Sequence, residues 1–139
     1  MIVLNLNENL CLTTTSLVPT CSPPHCNTAI ADTGAMDHYF TATAPLTDIN
    51  PAAPHTTIRT ATGEQHTSIA MAQLAIPAIP TKSARTSHII PGLTNNLLSL
   101  GKLCDANCTA QLDKHTLRVH NKQGKLILMG HCELTGVRL

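Results

Sequence analysis

Ile30-Ala31-Asp32-Thr33-Gly34-Ala35-Met36-Asp37-His38 sets an apolar pair directly before Asp-Thr-Gly-Ala. The order predicts a strand that ends in a tight turn, with the Asp32 carboxylate where the chain reverses. A carboxyl group in that place is a candidate general acid or base once its surroundings activate it. Thr33 offers a hydroxyl to brace the turn, and Gly34 lets backbone pass where a side chain would collide. Asp, Thr and Gly are also ordinary surface-turn residues, so the triplet alone decides no function.

Working outward, the 139 residues suit one domain with a modest core. Apolar residues make up 42% of the chain, but it holds one Tyr, one Phe and no Trp, so the core must be aliphatic. Many Thr residues among those aliphatics favour strands, and nine Pro with seven Gly cut the chain into short pieces. Nine basic residues against eight acidic ones give a formal charge of +1, with no basic stripe and no aromatic platform. Direct nucleic-acid binding is therefore not expected. No apolar run approaches membrane-spanning length, so no membrane partner is expected. Met1 to Leu12 lacks the basic start of a signal peptide. The expectation is therefore a chain inside the cell, in the cytoplasm, with its six cysteines (11, 21, 26, 104, 108 and 132) reduced.

Residues 1–28 read as a flexible tail, and residues 29–139 as the folded domain. A second loop, Thr43 to Pro54, carries three prolines and is expected to be mobile. His55 to Thr62 and His66 to Ile76 predict a hairpin with its tip at Gly63-Glu64. Ser87 to Ile90 is a short strand stopped by Pro91-Gly92. Leu97, Leu100, Leu103 and Cys104 then switch to a helical period, which predicts one short helix near 99–106. Thr109 to Asp113, Thr116 to Asn121 and Lys125 to Met129 return to strands, the last two joined by a turn at Gly124.

Three blocks in this order resemble the protease region of copia-type long-terminal-repeat retrotransposon polyproteins, a branch of the retropepsin-like aspartic proteases. Ala31-Asp32-Thr33-Gly34-Ala35 with His38 is similar to that family's Asp-Ser/Thr-Gly-Ala motif and its downstream His. Ile89 through Asp105, with Pro91-Gly92-Leu93 and Asn96-Leu97-Leu98-Ser99-Leu100, resembles its Val-Pro-Gly-Leu-x-x-Asn-Leu-Leu-Ser-Val stretch. Gly124 through Gly130 resembles its closing strand. Met36 stands where the family has Ser or Thr, and Ser99 where retropepsins at large have Gly. The chain stops near the point where an integrase region begins in such polyproteins, and the expectation is a fragment or a domesticated or decaying copy.

The resemblance implies an all-β fold: a retropepsin-like closed β-barrel with one short α-helix. It also implies an aspartic endopeptidase acting on polypeptide as a homodimer. Each chain would bring Asp32, and two close carboxylates share one proton, so one acts as base toward water and the other as acid. Thr33, Gly34, Ala35 and His38 would support the catalytic loop. Thr62, Gly63 and Glu64 would form a flap over an extended peptide. No cofactor is implied. The alternative is a catalytically inactive barrel module with a structural or interaction role.

Metal binding is the strongest rival in composition, with eight His and six Cys. Cys104, Cys108, His115 and His120 have a finger-like order, but the central gap is about half the usual twelve residues. Residues five apart on a strand also face opposite ways, so no metal is expected. Cys21, His25 and Cys26 lack zinc-knuckle spacing. No Cys lies on a strand-to-helix elbow that would mark a thiol nucleophile.

Overall fold

The computed structural model describes residues 2–6, 28–60 and 62–132, which carry twelve strands and two short helices. The strands are β1 (Ile2–Asn5), β2 (Thr28–Asp32), β3 (His38–Phe40), β4 (Leu46–Asn50), β5 (Thr57–Arg59), β6 (Gln65–Thr67) and β7 (Ala70–Leu74). After α1 (Lys82–Arg85) follow β8 (Thr86–Ile89) and β9 (Asn96–Ser99). Next come α2 (Leu100–Asp105), β10 (Thr109–Leu112), β11 (Thr116–His120) and β12 (Leu126–Cys132). The described chain is thus mostly β, as its Thr-rich, aliphatic composition predicts.

Ten strands form one sheet in the order β10-β11-β12-β1-β2-β9-β3-β8-β7-β4, and β5 and β6 form a separate hairpin. Two pairs in the sheet are parallel, β2 with β9 and β3 with β8. Consequently the turn after β2 and helix α2 after β9 leave the sheet from the same end. Asp32 lies opposite Ser99 there.

The core is aliphatic, with Leu4, Ile79, Ile90, Leu98, Leu103, Leu117 and Val119 essentially buried beside the single Phe40. Alternation is clean on β11, where Leu117 and Val119 point inward between half-buried neighbours. Gly130 lets β1 and β12 approach closely. A Cβ there would come within 2.7 Å of Leu4 Cδ2 and 3.0 Å of the Val3 carbonyl. Asn96 ties the middle of the sheet, accepting from the Thr41 amide at 2.8 Å and donating to the Thr28 carbonyl at 2.8 Å.

Several expectations need correction. Among the described residues the sheet does not close into a barrel: β10 pairs only with β11, and β4 only with β7. Both edges are largely exposed, and β4 is interrupted by a bulge with Asp48 at φ +53°, a feature that blunts an edge. Two short helices are present rather than one, because Thr81 caps a single turn at Lys82–Arg85 by accepting from the Ala84 amide. Ile2–Asn5 are not a tail: they pair with both β2 and β12. Residues 7–27, including the Cys21, His25 and Cys26 group, lie outside the described residues.

Part of the segment expected as a loop at 43–54 is strand β4. The predicted helix starts only at Leu100, since Ser99 is its cap, so Leu97 belongs to β9. Cys104 faces outward on that helix rather than sharing its buried face. The segment His66 to Ile76 is broken at Ser68 into β6 and β7, because Ser68 turns back to Thr56. No helix of the described residues is long and apolar enough to cross a membrane.

Candidate active site

Asp32 is the last residue of β2 and is half-buried. Its Oδ1 accepts the Gly34 amide at 2.7 Å, which fixes the carboxylate on its own turn. The collision expected at Gly34 does not arise within one chain. A Cβ there would meet only Asp32 Oδ1, at 3.4 Å. Thr33 and Gly34 are exposed, and so is Met36, at 90%.

The turn is held from beneath by Ser99. Its hydroxyl donates to the Ala35 carbonyl at 2.7 Å and also accepts the Lys102 amide at 3.1 Å, capping α2. One side chain therefore joins the Asp32 turn to the start of a helix. A Gly in its place would make neither bond.

His38 is fully buried and sits behind the same turn. Its Nδ1 accepts the Ser99 amide at 3.0 Å, and Nε2 lies 2.7 Å from the Ala84 carbonyl. A carbonyl can only accept, so the proton belongs on Nε2 and the ring is neutral. Burial is the main reason its pKa falls to about 4, and the Lys102 charge adds to the effect. His38 thus reaches the turn through Ser99 rather than touching Asp32.

Asp37 is the third anchor. Its carboxylate accepts the Lys102 ammonium, the His38 amide at 2.9 Å and His88 Nε2 at 3.0 Å. Burial tends to raise the Asp37 carboxyl, but the Lys102 hydrogen bond and charge, with the His38 amide and His88, hold it below the ordinary carboxylate value. Lys102 also donates to the Thr86 carbonyl at 2.7 Å. The His88 ring stacks on Tyr39 with centroids 5.7 Å apart. Helix α2, strand β8 and the Asp32 turn are therefore pinned to one carboxylate. Sequence reasoning missed Asp37, His88, Lys102 and the support role of Ser99. Only Ser99 left a signal, as a capping residue just before a helical period.

A cavity of about 420 Å³ opens beside Asp32 and Thr33, walled by Ile2, Leu100, Leu112 and Leu117. It is mostly apolar, with Asp32 the one ionisable group among the described residues of its lining. The expected flap residues are not among the described residues that line this cavity. Thr62, Gly63 and Glu64 form the exposed tip of the β5–β6 hairpin, where Gly63 has φ +94° and its amide bonds the Thr60 carbonyl. That hairpin rests on the Pro91-Gly92 turn, since a Cβ on Gly92 would come within 3.3 Å of His66 Nδ1. None of its described residues lines the Asp32 cavity.

Among the described residues no three His, Cys, Asp or Glu side chains are arranged to hold a metal ion. The chain matches no model of a known protein family and no curated protein sequence.

Proposed function

We propose that this chain is an aspartic endopeptidase domain of the retropepsin-like kind, derived from a retrotransposon polyprotein and acting inside the cell. Two copies would each contribute Asp32 to a shared catalytic centre. The observation that carries this reading is the position of Asp32. It ends a strand on a turn fixed by its own side chain, by Ser99 and by Asp37, beside an apolar cavity. A carboxylate so fixed is pre-positioned for acid–base work, and an apolar neighbourhood strengthens its electrostatic action.

One chain supplies one such carboxylate, so the chemistry needs a two-fold partner. Exposed apolar groups flank the turn, Met36 at 90% and Leu112 at 63%, and would be covered by a second copy. With two Asp32 residues close together, one proton is shared. The ionised member takes a proton from water as that water attacks the peptide carbonyl, while the protonated member donates to the carbonyl oxygen. Collapse of the resulting diol passes a proton to the leaving nitrogen. An extended polypeptide substrate fits this scheme.

Asp32→Asn tests the proposal with little risk to the fold, because an Asn Oδ1 can accept the same Gly34 amide. Cleavage of an unstructured polypeptide should vanish while the unfolding midpoint stays unchanged. Cleavage that survives in Asp32→Asn would refute the mechanism. The second reading, an inactive interaction module, draws on Asp32 being the one ionisable group among the described residues of the cavity lining. It predicts a monomer without cleavage at any concentration.

A further inference from the structure

A trough separate from the Asp32 cavity runs along β4 and β7 beneath α1. It consists of two adjoining spaces, about 610 Å³ and about 250 Å³, that share Asp48, Gln73 and Lys82 in their walls. No residue lining it also lines the Asp32 cavity. We propose that this trough binds a small zwitterionic ligand with an apolar body, of the class of a short aliphatic peptide with free termini.

The charges point that way. Asp48 offers a carboxylate on the β4 side, while Lys82 and Arg85 bring two cations from α1. None of the three is ion-paired among the described residues. A positive and a negative pole facing one cavity, yet not neutralising each other, complement a ligand that carries both signs. The same wall carries the exposed apolar Ala75 and Pro77, just past the end of β7. An aliphatic side chain has its contact surface there.

Two further observations converge on the same place. Gln73 donates through Nε2 to Thr86 Oγ1 at 2.8 Å, but its Oε1 is buried with no hydrogen-bond partner. Such an orphaned acceptor is rare, and a peptide N–H in the trough is the donor that would satisfy it after a small turn of the soft terminal torsion. The backbone is also shaped around the site. Pairing of β4 with β7 skips between Thr47 and Asn50, and Asp48 adopts the left-handed conformation at φ +53°. Asp tolerates that conformation at a bulge, and there Asp48 forms part of the wall of the trough. Nothing in this inference depends on Asp32 being catalytic.

The test is an NMR titration of the full ¹⁵N-labelled chain with the dipeptide Leu-Leu, its N-acetyl form, its C-terminal amide and the doubly blocked form. Saturable shifts are expected at the amides of Thr47, Gln73, Ala75 and Arg85. Each singly blocked peptide should bind at least about tenfold more weakly, a loss of about 1.4 kcal/mol. Lys82→Met should weaken Leu-Leu, and Asp48→Asn should erase the preference for a free amino terminus. No shift at any soluble concentration would overturn the proposal. Equal binding of the doubly blocked peptide would do the same, as would shifts centred on Asp32 instead. The blocked peptides use the unaltered chain, so the outcome does not depend on any variant folding.

Discussion

At the scale of single residues, His38 makes the folded state sensitive to acid. Folding lowers its pKa from 6.5 to about 4, so between those values the unfolded chain holds a proton that the native ring refuses. Its contribution is complete above pH 6.5 and is lost as pH falls toward 4, amounting to roughly 3 kcal/mol over that window. Urea unfolding followed at a series of pH values should show this loss, and His38→Gln should flatten the slope between pH 6.5 and 4. An unchanged slope in the variant would mean that another group titrates. Ser99→Ala removes the bond to the Ala35 carbonyl and the cap of α2 together, with an expected cost of about 1–3 kcal/mol. In the proposed enzyme it should also lower kcat more than it raises KM, since the hydroxyl supports the Asp32 turn rather than substrate. Asp32 itself was legible in the sequence because strand-then-Asp-Thr-Gly is a local signal. The Asp37–Lys102 contact was not, because its partners are 65 positions apart and nothing local marks them.

At the scale of elements, the tie between the Asp32 turn and helix α2 runs through Lys102. Lys102→Met would leave the half-buried Asp37 carboxylate with only the His38 amide and His88. A loss of about 1–3 kcal/mol is expected, together with faster hydrogen exchange at the Gly34 amide as the turn loosens. Strand β1 depends instead on close backbone packing. Gly130→Ala drives a methyl into Leu4 and the Val3 carbonyl, one of them backbone, so the strand pair must separate. Calorimetry should record about 1–3 kcal/mol of destabilisation. Hairpins and the Gly63 and Gly124 turns were readable, since glycine at positive φ is a local requirement. Strand β1 was not, because four residues ahead of a long polar stretch carry no period and gain their stability only from partners at 28–30 and 130–132.

At the scale of the whole molecule, composition was enough to indicate a mostly β chain with an aliphatic core, and that is what the described residues form. Closure was not readable. Whether a sheet's first and last strands meet depends on twist and on edge defects such as the Asp48 bulge, which sequence period does not report. Nor can one chain present the second carboxylate that paired-Asp32 chemistry needs, so the proposed activity would belong to an assembly rather than to the fold alone. The decisive measurement is the rate of pepstatin-sensitive cleavage of an unstructured polypeptide per chain, followed across a wide range of protein concentration. Paired Asp32 carboxylates predict a per-chain rate that climbs with concentration and levels off as dimer saturates. A per-chain rate independent of concentration while the protein remains monomeric, or no cleavage at any concentration, would contradict them.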